Sequence, residues 1–130
     1  MPDAVAVLTD LMFRSKIEGA ARGQGLRLKF VPSAGPLVAE LDKGEVRLVM
    51  IDLSLPSAEA LACVRAAAGH PCKPITMAFV SHVNVELARD AEQAGATVVL
   101  ARSKFSAELP ELLRRYCANG GAGGDDEDRT

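Results

Sequence analysis

The stretch Leu48-Val49-Met50-Ile51-Asp52 decides the fold prediction for this chain. A short apolar run that contains β-branched residues is typical of a strand buried inside a sheet. The stretch ends in a carboxylate at the point where the strand must leave the core. Three more largely apolar runs, residues 4–9, 75–80 and 97–101, are followed in the same way by Asp10, Ser81 and Arg102. If these strands are parallel, the four polar residues meet at one edge of one sheet, which is where open α/β sheets bind ligands.

Strand-like and helix-like stretches alternate along the chain, and this pattern indicates repeated β-α units around a parallel sheet. Ser33, Ser57 and Asn84 are predicted helix N-caps. We predict a flavodoxin-like three-layer α/β sandwich, with a five-stranded parallel sheet of order 2-1-3-4-5 and helices on both faces. The predicted strands are residues 4–9, 27–31, 47–51, 75–80 and 97–101, and the predicted helices are residues 11–24, 34–43, 58–68, 85–94 and 106–117.

The domain organisation predicted from composition is simple. Residues 1–117 are expected to form one domain, because the 130-residue chain is long enough for one core and too short for two. Residues 118–130 are rich in glycine and acids and cannot bury apolar surface, so we expect a flexible acidic tail there.

Composition also excludes several classes of protein. The three cysteines are widely spaced and form no CxxC pair, which disfavours a disulfide scaffold or a zinc site. No apolar run is long enough to span a membrane, and residues 1–3 lack the basic segment of a signal peptide, so a cytoplasmic location is expected. Without the acidic tail the body is almost neutral and shows no basic stripe, so nucleic-acid binding is not expected.

The four polar residues at the strand ends could together handle a phosphoryl group. In the predicted topology Asp10 and Asp52 are neighbours, and a pair of carboxylates favours a bound cation such as Mg²⁺. A carboxylate beside Mg²⁺ can attack a phosphorus donor and form an acyl phosphate. Ser81 and Arg102 would then contact the phosphoryl oxygens.

With these residues in view, the chain resembles the receiver domain of two-component response regulators, from Ala4 to Tyr116. Asp52-Leu53-Ser54-Leu55-Pro56 is similar to the family's Asp-x-x-x-Pro segment, and Ala94-Gly95-Ala96 is similar to the Ala-Gly-Ala before the fifth strand. The resemblance implies that Asp52 is the phosphoacceptor. It also implies that the Ser54 backbone carbonyl, with Asp10 and Asp52, is a metal ligand, and that Ser81 is the family's Thr/Ser position.

The chain also departs from the receiver pattern. Thr9 replaces one of the two acids that usually follow the first strand, which weakens the expected affinity for Mg²⁺. Arg102 stands where the family has lysine, and Ser103 stands where it has proline. Val99 occupies the position of the aromatic switch residue. With these departures, the chain resembles a divergent stand-alone receiver or a pseudo-receiver.

Two functional hypotheses follow from the resemblance. In the first, Asp52 accepts a phosphoryl group from a histidine kinase or another phosphodonor, with Mg²⁺. The modified domain then controls an unknown downstream protein, or a homodimer formed through the fourth helix, fifth strand and fifth helix. In the second, a pseudo-receiver binds its partner without phosphorylation. In neither case is the chain expected to be an enzyme, beyond assisting its own phosphorylation and dephosphorylation. A third class, small-molecule binders and enzymes on this fold, is disfavoured because the chain lacks flavin, cobalamin and cysteine-phosphatase motifs.

Each candidate residue also has a simpler structural explanation. Asp10 could be the N-cap of the helix that follows it, and Asp52 could be a turn aspartate at a strand exit. Ser81 could cap the next helix, and Arg102 could be a solvated loop cation. His82 is interpreted as a loop histidine, because no acid accompanies it at metal-site spacing.

Overall fold

The computed structural model describes residues 3–80 and 84–118, and its five strands and five α-helices alternate along the chain. A π-helical segment, Arg114–Ala118, closes the described part of the chain. The strands are β1 (Ala4–Val7), β2 (Leu28–Val31), β3 (Leu48–Asp52), β4 (Ile75–Val80) and β5 (Val98–Ala101), and the helices are α1 (Leu11–Gly23), α2 (Ala34–Leu41), α3 (Ser57–Ala68), α4 (Val85–Gln93) and α5 (Arg102–Leu113).

The sheet has five parallel strands in the order β2-β1-β3-β4-β5, so the predicted fold class and strand order are confirmed. The central strand β3 is buried along its whole length, as expected for a strand covered on both faces. The order reverses between β1 and β3, and this switch point lies beside the last residue of β3, Asp52.

Each face of the sheet carries its own apolar core, because successive side chains of a strand point to opposite faces. On one face Val49 and Ile51 pack with α2 and α3 residues, including Leu37 and Val64. On the other face Leu48 and Met50 pack against α1 and α5 residues, among them Ile17, Phe105 and Leu109. The two cores hold β3 at the centre and leave its carboxyl end at the rim.

The largest difference from the predicted boundaries concerns α5. The prediction placed Arg102 in a loop and started the helix at Ser106, but α5 begins at Arg102 itself. The physical reason is Phe105, which is fully buried and stacks on Phe79, so the chain must turn into the helix directly after β5. Three polar residues, 102–104, lie between β5 and Phe105, so the apolar pattern of the sequence does not show that the helix begins there.

The predicted N-caps also differ in detail. Asn84 caps α4 as predicted, by accepting a hydrogen bond from the Leu87 N–H at 3.0 Å. Ser57 is the first residue of α3 rather than its cap, because Pro56 occupies the N-cap position. Ser33 holds the N-cap position of α2 without a side-chain bond, and the Glu59 carboxylate of α3 accepts the Ala34 N–H at 2.7 Å instead.

The domain boundary and the tail stay predictions. Residues 119–130, which include almost all of the predicted tail, lie outside the described residues. Within residues 3–80 and 84–118, no helix combines the length and apolar character that crossing a membrane requires.

Two buried thiols are expected to make the folded protein less stable at alkaline pH. Burial raises the pKa of Cys63 and of Cys117 to about 12, from an ordinary value of 9.0. The folded protein therefore keeps both protons where the unfolded chain loses them, so their contribution to stability is complete below about pH 9 and is lost as pH rises towards 12. We expect the free energy of unfolding, measured in guanidinium titrations, to fall between about pH 9 and pH 12.

The control is the variant with Cys63→Ala and Cys117→Ala. Tyrosine and lysine also titrate at alkaline pH, so the difference in slope between the wild type and this variant isolates the thiols. Equal slopes would contradict the prediction. Cys72 is less buried than the other two and should react first with a thiol reagent in the native protein.

Candidate functional site

The candidate site lies at the carboxyl edge of the sheet, where three strand ends come together. Asp52 is the last residue of β3 and pairs in register with Phe79 of β4. Val80 pairs with Ala101, the residue directly before Arg102. Parallel register therefore places Arg102 at the same sheet edge as the end of β3, with β4 between the two strands, although fifty residues separate Arg102 and Asp52 in sequence.

Asp52 is a buried carboxylate whose two oxygens both have partners. Its residue surface is 2% exposed. Oδ1 accepts hydrogen bonds from the Ser54 backbone N–H at 2.9 Å and from the Ser54 hydroxyl at 2.7 Å. Oδ2 accepts a hydrogen bond from Nη2 of Arg102 at 3.0 Å. A buried carboxylate needs such partners, because an isolated ion in the protein interior is very costly.

Arg102 is held over an aromatic support formed by Phe13, Phe79 and Phe105. The guanidinium carbon lies 4.5 Å from the ring centroid of Phe13 and 5.8 Å from that of Phe79. Phe79 and Phe105 stack with centroids 4.3 Å apart and an interplanar angle of 12°. Cation–π attraction and the ion pair with Asp52 act on the guanidinium together, so both favour the same position of the side chain.

Asp10 has a structural role and also contributes to the electrostatics of the site. Its Oδ1 accepts the N–H groups of Met12 and Phe13 at 3.0 and 3.1 Å, which makes it the N-cap of α1. Its Oδ2 lies 3.6 Å from Nη2 of Arg102. The same guanidinium nitrogen thus faces both carboxylates, closely at Asp52 and more loosely at Asp10.

The structure brings Asp10, Asp52 and Arg102 together as the topology predicted. Arg102 is not the solvated loop cation of the simpler explanation, because it belongs to α5 and pairs with Asp52. Asp10 and Asp52 fulfil their simpler structural explanations, since each accepts a hydrogen bond from a nearby backbone N–H group. Ser81, with His82, lies outside the described residues. The chemical roles of all these residues, including the Ser54 carbonyl as a ligand, stay predictions.

Sequence reasoning missed the Ser54 hydroxyl and the aromatic support. The spacing of Arg102 and Phe105 would have pointed to the support if α5 had been started at Arg102, because residues three apart share one face of a helix. Phe79 stands directly opposite Asp52 in the sheet, so its place follows from the register. Phe13 lies in the first turn of α1, and no pattern in the sequence links it to the site.

The residues as arranged do not fit a divalent cation. All four carboxylate oxygens of Asp10 and Asp52 are engaged, by helix N–H groups, by Ser54 or by Arg102. Mg²⁺ needs oxygen ligands at close to ideal octahedral positions, whereas here a guanidinium lies between the carboxylates. Across residues 3–80 and 84–118, no group of three or more histidine, cysteine or acidic side chains is arranged to hold a metal ion.

Comparison with solved structures identifies the fold. A response regulator from Thermotoga maritima aligns with a TM-score of 0.73 and 15% identity, over 88% of this chain and 96% of that chain. A CheY-like receiver domain protein from Methanospirillum hungatei aligns with a TM-score of 0.73 and 16% identity, over 86% and 90%. The receiver domain of a sensor histidine kinase from Pseudomonas aeruginosa, which has a magnesium ion coordinated in its active-site cleft, gives 0.74 and 20%, over 88% and 96%.

The chain therefore has the receiver fold of response regulators, and the resemblance found in the sequence is confirmed at the level of fold. No protein-family model matches the sequence, and a search of curated proteins finds no match either. Sequence identities of 15–20% with these three structures support a shared fold and nothing beyond it.

Proposed function

We propose that this chain is a receiver-like signal-transduction domain that binds a partner protein without needing phosphorylation. The observation that carries the proposal is the ion pair between Asp52 and Arg102 at 3.0 Å. In the receiver fold, the carboxylate at the end of β3 is the group that would meet a phosphodonor. Here Arg102 and Ser54 together engage both of its oxygens, and the residue is 2% exposed, so the attacking oxygen is neither free nor accessible.

A second candidate is phosphoryl acceptance on Asp52, which its position at the switch point favours. Arg102 would first have to release Oδ2 and could then contact the phosphoryl oxygens through its fork of donors. Mg²⁺ would require the same displacement of Arg102. A histidine kinase or a small phosphodonor would supply the group, and the chain would assist only its own phosphorylation and dephosphorylation.

The partner, or a second copy of the chain, is proposed to bind at α4, β5 and α5. Val85, in the first turn of α4, is 63% exposed and is one of the few large apolar side chains so exposed in the described part of the chain. All four residues of the edge strand β5 are only half-buried. An exposed apolar side chain and an open sheet edge are each suited to protein contact. We also propose a cytoplasmic location, since the domain would act in a signalling pathway.

The test is intact-mass measurement after treatment with acetyl phosphate and Mg²⁺. We expect that neither the wild type nor Asp52→Asn gains the mass of a phosphoryl group. A phosphoryl adduct that disappears in Asp52→Asn would overturn the proposal and establish the second candidate. A phosphorylatable receiver domain treated in parallel shows that the donor is active.

Partner binding is tested by affinity capture, with the wild type and Asp52→Asn each used as bait. We expect the two baits to capture the same proteins, with or without acetyl phosphate. Arg115→Glu, at an exposed side chain of the π-helical segment Arg114–Ala118, serves as a surface-charge control. Loss of a partner in Asp52→Asn, with folding intact by circular dichroism, would contradict phosphorylation-independent binding.

A further inference from the structure

We infer that Arg102 is a built-in cation that takes the place of a divalent metal ion at this site. The inference does not depend on which partner the domain binds. It deepens the proposed function by stating what keeps the site in one state: a positive charge that belongs to the chain and is not exchanged with solvent.

The first argument is the position of the charge. One guanidinium nitrogen lies 3.0 Å from Oδ2 of Asp52 and 3.6 Å from Oδ2 of Asp10. Two carboxylates that meet at one place repel each other, and a cation between them removes the repulsion. Arg102 supplies that cation, so the electrostatic reason for recruiting a metal is already met.

The second argument is how firmly the charge is held. The guanidinium lies on Phe13 at 4.5 Å and near Phe79 at 5.8 Å, and these rings belong to the same buried cluster as Phe105. Only 33% of the Arg102 side chain is exposed. Arginine suits such a place because its flat, weakly hydrated group stacks on rings and pairs with carboxylates at the same time.

The third argument is the number of acids. Thr9 stands beside Asp10, so the site has two carboxylates and not three. One guanidinium leaves a site with two carboxylates at a net charge of about −1, and a divalent ion would then have to compete with a tethered charge whose effective concentration is high. The inference therefore predicts that Mg²⁺ has no specific site here while Arg102 is present, and that removing Arg102 creates one.

The experiment measures Mn²⁺ binding by electron paramagnetic resonance and thermal unfolding in Mg²⁺ against EDTA. For the wild type we expect no Mn²⁺ binding that depends on Asp52, so the signal of bound Mn²⁺ should be the same in the wild type and in Asp52→Asn. We also expect the wild type to have the same Tm in Mg²⁺ and in EDTA. For Arg102→Ala we expect one bound Mn²⁺ and a Tm that Mg²⁺ raises, by about 10 °C when the free ion exceeds its Kd about 100-fold. In the double variant Arg102→Ala with Asp52→Asn, both effects should vanish.

Two results would overturn the inference. One is Mn²⁺ binding to the wild type that Asp52→Asn abolishes. The other is an Arg102→Ala protein that folds and gains no Mn²⁺ site. If Arg102→Ala does not fold, Arg102→Gln keeps much of the side chain's bulk without its charge and gives the same readout, and the wild-type measurement stands by itself. Phosphorylation of Asp52 in the wild type would refute the proposed function, whereas wild-type Mn²⁺ binding alone would refute only the built-in cation.

Discussion

Replacement of Arg102 by alanine is expected to lower the free energy of unfolding by about 3 kcal/mol in EDTA. The substitution leaves the Asp52 carboxylate buried, with Ser54 as its remaining hydrogen-bond partner. Loss of one member of a buried ion pair costs about 3–5 kcal/mol, because the other charge stays in the interior uncompensated. We take the low end of that range because 33% of the Arg102 side chain is exposed and water can enter the vacated place. The measurement is urea unfolding followed by circular dichroism.

Two comparisons separate this effect from a general loss of an arginine. Arg114 pairs with Glu111 on the surface, and Arg114→Ala should change the free energy of unfolding by less than about 1 kcal/mol. Adding Asp52→Asn to Arg102→Ala removes the orphaned charge and should recover part of the loss. A cost of Arg102→Ala as small as that of Arg114→Ala would show that the pair contributes little to stability.

The architecture of this protein could be predicted from its sequence because it depends on a pattern repeated five times. Apolar strands, amphipathic helices and glycines at helix ends all point to the same sheet, and the observed strand order is the predicted one. That Asp10, Asp52 and Arg102 lie at one edge of the sheet follows from that order. Parallel strands that end in polar residues must present them at a common edge, whatever their separation in the chain.

The contacts within the site could not be predicted in the same way. Whether Arg102 points to solvent or to Asp52 depends on where α5 begins. The buried ring of Phe105, the fourth residue of α5, determines that start. The Ser54 hydroxyl takes part because a tight turn folds it back on Asp52, two residues earlier. Such choices depend on tertiary packing, which a linear pattern of apolar and polar residues does not contain.

Two of the departures from the receiver pattern, Thr9 and Arg102, can be explained together once the contacts are known. Thr9 removes a negative charge beside Asp10, and Arg102 adds a cation that stacks on Phe13 and pairs with Asp52. A lysine at this position would offer a compact, strongly hydrated ammonium, which lacks the flat surface that the aromatic support requires. Fewer acids and a stacked guanidinium both reduce the need for a metal ion at the site.

Substitution of Gly95 by alanine is expected to lower the free energy of unfolding by about 3–5 kcal/mol. Gly95 follows α4 with φ +115°, a backbone conformation that L side chains rarely adopt. A Cβ at this position would lie 2.6 Å from the Cβ of Ala68, at the end of α3. Backbone strain and overlap therefore act together, and neither can relax without moving α4 away from α3. Thermal and urea unfolding measure the loss.

Gly25 provides a matched control for Gly95. Each residue ends its helix in a Schellman motif: Gly95 donates to the Glu92 carbonyl, Gly25 donates to that of Arg22, and in both cases the next residue bonds further back into the helix. Gly25 has φ +70° but open space where a Cβ would go. Gly25→Ala should thus cost only the left-handed strain, about 1–2 kcal/mol, and the difference between the two variants measures the overlap with Ala68.

Relief of the overlap gives a second check and links Gly95 to the site. In the Gly95→Ala background, Ala68→Gly should recover part of the stability, although the same change in the wild type costs up to about 1 kcal/mol of helix propensity. Gly95 leads into β5, and β5 ends at the residue before Arg102. A displaced β5 would move the guanidinium relative to Asp52, so Gly95→Ala should also weaken the coupling between Arg102 and Asp52 in a double-mutant cycle. An unchanged coupling energy would show that the site is positioned by the aromatic support and not by the turn at Gly95.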